Sequence, residues 1–148
     1  MARPDPLLTV LKLAQDAEEQ AALQLRSAQL ELGRLTQQLD ALNQYRLDYM
    51  RQLSGQEGKN ISASYYQQFH RFIKQIDQAI SQQVQSVTGA ESQLEHRRRH
   101  WLEKQQKRKA VELLLKHKAD KREAKEARQE QKLLDEFAMQ QFIRKGPQ

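Results

Sequence analysis

His96 and His100 have the spacing that best fits metal binding, because side chains four residues apart share one face of a helix. Arg97, Arg98 and Arg99 lie between them, and their charge would repel a cation. The chain has no Cys, and no neighbouring pair of carboxylates completes a ligand set. We therefore predict neither a metal site nor a cofactor.

No other combination of residues indicates an enzyme. The sequence shows no catalytic triad, no glycine-rich phosphate loop and no pair of inward-facing carboxylates. It is 38% hydrophobic, 30% charged and 6% aromatic, so a thick enclosed core is not expected. Five glycines and three prolines are too few to mark the turns of a β-sheet protein. The composition predicts an all-α, non-enzymatic protein with a single domain over residues 1–148.

Proline occurs only near the two ends of the chain, at Pro4, Pro6 and Pro147. Because a proline inside a helix costs about 3 kcal/mol or more, the long interval without proline permits very long helices. We predict a first helix over about residues 5–54 and a second over about residues 62–143.

The segment between these helices contains Gly55 and Gly58, which bracket the only convincing break in the helical pattern. We predict a turn over about residues 55–61. Asn60 or Ser62 follows at the position where a side-chain oxygen would cap the second helix.

Both predicted helices carry apolar residues at alternating steps of three and four, as coiled coils do. Twelve of 14 such positions are apolar in the first helix, and nine of eleven in the second. Two stripes on either side of one turn predict a long antiparallel two-helix coiled-coil hairpin. We call these positions the seam: Leu7, Leu11, Ala14, Glu18, Ala21, Leu25, Ala28, Leu32, Leu35, Leu39, Leu42, Arg46, Tyr49 and Leu53, then Tyr66, Phe69, Ile73, Ile76, Ile80, Gln83, Val87, Ala90, Leu94, Arg97 and Trp101.

The register of this hairpin follows from the residue numbers, because facing positions must sum to a constant when the chain reverses once. Tyr49 and Phe69 sum to 118, and Leu25 and Leu94 sum to 119. The two stripes therefore meet without a slip, which favours a hairpin within one molecule over a parallel dimer.

The end of the hairpin away from the turn is more polar. Glu18 falls on the seam there, and we expect it to pair with Arg97 or Lys104. Such exposed pairs contribute only about 0–1 kcal/mol, so we expect this end to fray first. Because the second helix is the longer one, roughly thirty of its residues, or some 45 Å, overhang without a partner.

Positive charge is concentrated on the distal half of the second helix. Residues 1–96 carry nine basic and eleven acidic groups, whereas residues 97–132 carry 14 basic and six acidic groups. Nucleic-acid binding is one interpretation. Contact with an acidic protein and a plain solvated helix face are the other two, and the sequence leaves all three open.

Two aromatic residues lie beside the seam rather than on it. Tyr45 and Phe72 have numbers that sum to 117, as do Gln38 and Ala79, so antiparallel pairing brings each pair to one level. The large side chains either cover the edge of the seam or form an interface, since exposed aromatic residues are typical binding hot spots.

The order and spacing of these features resemble the FliJ family, the small coiled-coil proteins of the bacterial flagellar type III export apparatus. The resemblance covers nearly the whole chain. It rests on the stretch from Tyr45 to Tyr49, on Tyr66 to Phe69 with Phe72 and Ile76, on Trp101, and on the ending from Leu133 to Ala138 before Arg144 and Lys145.

The resemblance implies a cytoplasmic, non-enzymatic protein that serves bacterial motility at the inner membrane of the flagellar base, where partners hold it. It implies a stalk-like role in assembling and activating the ring of the export ATPase, FliI, contact with the cytoplasmic domain of the export gate protein FlhA, and handling of export chaperones. Related stalk proteins of virulence-type injectisomes share the architecture, so an injectisome role stays open beside a basic nucleic-acid-binding or adaptor coiled coil.

Two groups of residues take functional roles under this resemblance. The implied gate-binding residues, here called the aromatic surface, are Gln38, Leu42, Tyr45, Tyr49, Phe72, Ile76 and Ala79. The implied ATPase-binding residues, at the open end of the hairpin, are Leu7, Leu11, Lys116, Arg122 and Phe137.

Overall fold

The computed structural model describes residues 4–55 and 62–146 and places them in two long helices. Helix α1 spans Pro6–Gly55 and helix α2 spans Ala63–Lys145. The predicted all-α hairpin is therefore confirmed. Each helix begins and ends within two residues of the position that the sequence predicts. Of the predicted turn, only Gly55 is described, and it ends α1; Asn60 lies outside the described residues.

Helix α1 begins with a side-chain cap. The backbone N–H of Leu7 donates to Oδ1 of Asp5 at 2.9 Å, and the N–H of Leu8 donates to the Asp5 carbonyl at 2.9 Å. Asp5 is therefore the N-cap and Pro6 the first helical residue, where a missing N–H costs nothing.

Helix α2 is capped at both ends. The N–H of Tyr65 donates to Oγ of Ser62 at 3.1 Å, so Ser62 provides the predicted cap. At the other end Gly146 has a φ of 58°, and its N–H donates to the carbonyl of Ile143 at 3.2 Å. Glycine suits this left-handed position because it has no Cβ.

The chain divides into two compact units, and both pair α1 with α2. Unit 1 comprises residues 1–18 and 104–148, and unit 2 comprises residues 19–103. The buried core of unit 2 consists of Phe69, Ile73 and Ile76, against which Tyr49 and three further hydrophobic residues, Leu53, Phe72 and Ile80, pack.

Burial along the helices follows the predicted seam. All 14 seam positions of α1 are buried or half-buried. In α2 every predicted seam position from Phe69 to Trp101 is also at least half-buried. Tyr66 was wrongly assigned to the seam: its side chain is 51% exposed and packs edge-on against His70, at 4.3 Å between ring centroids.

Unit 1 is held by ionic contacts as well as by half-buried leucines. Arg108 donates to both carboxylate oxygens of Glu18, and its Nη1 also contacts Oε2 of Glu112 at 3.0 Å. The prediction that Glu18 pairs with Arg97 or Lys104 was therefore wrong. Arg97 instead donates to Oε1 of Gln24 at 3.0 Å within unit 2. The two hydrogen bonds from one guanidinium to the Glu18 carboxylate strengthen this pair.

Beyond these contacts α2 continues without cover. Every described residue from Lys116 to Gly146 is exposed, and we call this segment the overhang. Among the described residues, the overhang forms an ion pair with the start of the chain through Lys118, whose Nζ lies 2.8 Å from Oδ2 of Asp5, the N-cap of α1. Within the described residues, neither helix has a stretch long and apolar enough to cross a membrane.

Candidate functional site

The aromatic surface of unit 2 is built on the buried core. Tyr49 stacks on Phe69 with ring centroids 4.7 Å apart and planes 4° apart. The ring centroids of Phe72 and Tyr49 also lie 4.7 Å apart, with the ring planes tilted by 52°. Tyr45 then meets Phe72 edge-on, at 6.1 Å and 77°. This T-shaped contact confirms that Tyr45 and Phe72 share one level, as the register predicts.

The seven residues of the aromatic surface differ in what they offer a partner. Gln38 and Tyr45 are exposed, Tyr45 at 50%, whereas Phe72 and three others, Leu42, Tyr49 and Ala79, are half-buried. Ile76 is only 5% exposed and belongs to the core. Ile76 therefore supports the surface from beneath, and the ring of Tyr45 is its most prominent apolar feature.

An open groove of about 380 Å³ runs beside Tyr45, and its lining residues are Gln38, Ala41, Leu42, Tyr45 and Gln83. Nε2 of Gln83 donates to the carbonyl of Leu35 at 2.9 Å and to Oε1 of Gln38 at 3.1 Å. These bonds tie α2 to α1 and hold the Gln38 amide at the edge of the groove.

Sequence reasoning did not include Ala41 and Gln83 in this surface. Gln83 was assigned to the seam instead, because its number sums with that of Leu35 to 118. Ala41 precedes Tyr45 by one helical turn, and this spacing would have indicated that it lies beside that ring.

The opposite flank of unit 2 has a different chemistry. Nε of Arg46 lies 2.6 Å from Oδ1 of Asp77 across the two helices. The hydrogen bond that Arg46 donates to Asp77 raises the pKa of Arg46 above its ordinary value. Because Tyr45 and Arg46 are consecutive, they point to different sides of α1, and the two flanks are chemically distinct.

The five residues assigned to ATPase binding all lie in unit 1, but they do not form one site. Leu7 and Leu11 are half-buried in the pairing of the two helices. Lys116 and Arg122 are exposed on the overhang. Phe137, which is 60% exposed, lies about 30 Å along the helix from Lys116.

The histidine pair lies in an environment dominated by arginine. Oε1 of Glu95, the carboxylate next to His96, lies 2.9 Å from Arg98 Nη2 and 3.1 Å from Arg99 Nε. These hydrogen bonds lower the pKa of Glu95, with Arg98 contributing most. Among the described residues, no three His, Asp or Glu side chains come close enough together to hold a metal ion.

Comparison with known proteins relates the whole chain to one family. The sequence model described as "Flagellar FliJ protein" matches residues 3–147. The flagellar FliJ proteins of Escherichia coli K12 and Salmonella typhi are each 27% identical over 145 residues, which cover 98% of this chain and 99% of each relative.

A solved structure shares the fold. The structure of a YscO homolog from Chlamydia trachomatis has a TM-score of 0.54 to this chain and 20% sequence identity, and the alignment covers 99% of this chain and 100% of the other. With a match over nearly its entire length, the chain belongs to the FliJ family of flagellar proteins.

Proposed function

We propose that this chain is a non-enzymatic, stalk-like component of the flagellar type III export apparatus that binds the cytoplasmic domain of the export gate through its aromatic surface. Membership of the FliJ family supports the flagellar role. The half-exposed ring of Tyr45, set edge-on against Phe72 above a packed core, carries the assignment of the surface.

The chemistry of this surface suits a protein partner. An aromatic ring that is already fixed loses little conformational freedom on binding, so its burial contributes efficiently to affinity. The groove beside it offers apolar walls and the amide of Gln38, which provides both a donor and an acceptor for orienting the partner. The groove is open rather than enclosed, as a contact surface requires.

The gate assignment is tested by replacing Tyr45 with alanine. We expect binding to the isolated cytoplasmic domain of the gate protein to fall at least tenfold, since removal of an aromatic hot spot costs about 2 kcal/mol or more. Tyr66→Ala is the matched control, because Tyr66 is equally exposed but packs on His70. Titration calorimetry gives the affinities, and circular dichroism shows whether the helices persist. Equal affinity of both variants would contradict the assignment.

We further propose that unit 1 engages the ring of the export ATPase and promotes its assembly and activity. The exposed overhang, with Lys116, Arg122 and Phe137, supports this assignment, because a long helix without cover suits insertion into a partner. We include in this proposal that the chain binds export chaperones. So does a location in the cytoplasm, at the inner membrane of the flagellar base.

A truncation after residue 118 tests the ATPase assignment without disturbing the paired part of unit 1. This variant retains the ionic contact between Asp5 and Lys118. We expect it to lose most of its stimulation of ATP hydrolysis by the export ATPase while still binding the gate domain. A phosphate-release assay measures the stimulation, and full stimulation by the truncated chain would refute a role for the overhang.

The alternative is a stalk protein of a virulence-type injectisome, which the shared fold with a YscO homolog favours. The match over residues 3–147 to the flagellar family favours the flagellar system. Deleting the gene and measuring swimming motility separates the two, because only the flagellar role predicts non-motile cells. A nucleic-acid-binding role predicts instead that the chain retards DNA or RNA at physiological ionic strength.

A further inference from the structure

Charges on the overhang are sorted onto two sides of the helix. Four cations follow one another at steps of four, three and four, and we call them the basic stripe: Lys121, Lys125, Arg128 and Lys132. Three carboxylates, Glu123, Glu126 and Glu130, form a second row about 160° away. All seven side chains are exposed. Between residues 121 and 132, the side of the helix that carries the basic stripe therefore contains no acidic residue.

This arrangement places like charges next to each other. Lys121 and Lys125 are four residues apart, as are Arg128 and Lys132, and such pairs destabilise a helix. The ionic contacts of unit 1 use Arg108 and Lys118 instead. In the described part of the chain, no carboxylate oxygen lies within 4.0 Å of a cation of the stripe. The stripe is therefore available to an anionic surface outside the chain.

Exposed apolar side chains extend the same side of the helix at both ends. Leu114 lies one turn before Lys118 and is 55% exposed. After Lys132, one turn carries Asp135 and Glu136, and the stripe direction then reaches Met139 and Ile143. These two side chains are 66% and 70% exposed. From Leu114 to Lys132, the cations of the stripe and an exposed apolar side chain share one side of the helix and the carboxylates lie away from it, as in helices that lie on membranes. Beyond Lys132 this sorting ends, because Asp135 and Glu136 lie within about 50° of the stripe direction.

We propose that the overhang binds directly to the surface of an anionic lipid bilayer, with the basic stripe toward the headgroups and the apolar side chains near Ile143 inserted between them. This contact would be made by the chain itself, without the gate, at times when the overhang is not engaged with the ATPase ring to which the proposed function assigns it.

A bilayer fits the observations better than other anionic partners. Nucleic acid provides phosphates but no apolar layer for Met139 and Ile143. An acidic protein would need a matching groove along the roughly 40 Å from Leu114 to Ile143. A flat surface of anionic headgroups above acyl chains meets both the basic stripe and the apolar side chains at its ends, and each cation near such a surface contributes about a fivefold gain in binding.

Sedimentation of the full-length chain with vesicles tests the proposal. We expect binding to vesicles that contain phosphatidylglycerol and little binding to vesicles of phosphatidylcholine alone. The triple variant Lys121→Gln, Lys125→Gln and Arg128→Gln should bind the anionic vesicles on the order of 100-fold more weakly, since it lacks three charges of the stripe. Glutamine preserves the helix because its propensity equals that of lysine.

A matched control removes three charges from the other side of the helix. Lys109, Lys116 and Lys145 are exposed and lie on the side of the carboxylates. Their replacement by glutamine lowers the net charge equally, so we expect only a small loss of binding. Equal losses in the two triple variants would overturn the proposal, because net charge alone would then explain the binding.

A second variant tests insertion separately. Met139→Gln with Ile143→Gln should remove the part of the vesicle binding that persists at high salt, because only apolar insertion resists screening. Absence of vesicle binding by the unmodified chain would overturn the proposal. So would tighter, stripe-dependent binding to duplex DNA or to polyglutamate than to the anionic vesicles.

Discussion

Phe69 is the side chain on which the pairing in unit 2 depends most. It is 2% exposed, lies face to face with Tyr49 of α1 and forms the core with Ile73 and Ile76. In a two-helix structure few side chains are fully covered, because each helix has only one neighbour. The removal of one large buried ring therefore removes a large share of the apolar packing in the core.

We expect Phe69→Ala to lower the free energy of unfolding by about 3–5 kcal/mol, since a buried aromatic ring leaves a cavity that two helices fill only in part. Urea denaturation followed by circular dichroism measures the change. Tyr65→Ala, at a position that is 39% exposed, serves as the control and should cost about 1 kcal/mol or less. Similar losses in both variants would show that Phe69 is not the centre of the packing.

At the scale of the helices, two glycines inside them make the folded chain less stable than alanine would. Gly33 in α1 and Gly89 in α2 have helical conformations, and a Cβ at either position would meet no atom within 4 Å. Neither residue is needed for a turn or a close approach. Gly146 differs, since its φ of 58° is unfavourable for any residue with a Cβ.

We expect Gly33→Ala and Gly89→Ala each to raise the free energy of unfolding by roughly 0.5–1 kcal/mol, because alanine restricts the unfolded chain and favours the helix. The midpoint of thermal unfolding should rise accordingly in calorimetry. Gly146→Ala should give no such gain. If either substitution lowered the free energy of unfolding, the added methyl group would have to clash with a neighbouring atom, which contradicts the open space around both glycines.

The sequence was most informative about these elements. Proline placement and Ser62 predicted the helix ends closely, and the three-and-four spacing identified the seam, because only one face of each helix is covered. Polar partners were harder to predict. Glu18 pairs with Arg108 rather than with Arg97 or Lys104, since long side chains reach across more than one layer. Tyr66 lies near the start of α2, and its ring packs on His70 of the same helix rather than on the seam.

At the scale of the whole molecule, the two units are held together internally by different forces. Unit 2 has a core of buried apolar rings and branched side chains. Unit 1 relies on half-buried leucines and on ionic contacts, including that of Lys118 with Asp5. The hydrogen bond from Lys118, together with the N–H of Leu7, lowers the pKa of Asp5. The ionised Asp5 carboxylate therefore stabilises unit 1 fully above the ordinary pKa of aspartate. This stabilisation is lost as the pH falls through the lowered pKa of Asp5.

We expect acidification below about pH 4 to loosen the pairing in unit 1 before that in unit 2. The absence of cysteine allows spin labels to be introduced at Leu8 and Leu114 in unit 1, and at Gln37 and Val84 in unit 2. Distances from electron resonance should broaden first in unit 1, and the Asp5→Asn variant should show this behaviour already at neutral pH. Simultaneous loosening of both label pairs would contradict the prediction.

The contrast between the two flanks of unit 2 also determines how a complex is oriented. A partner that recognises the ring of Tyr45 meets Phe72 beside it, whereas on the reverse side it would find the ion pair of Arg46 and Asp77. Turning the hairpin end for end, or rolling it over, cannot restore the same contacts. Any assembly formed through the aromatic surface is therefore polar, with the chain's direction set by its partner.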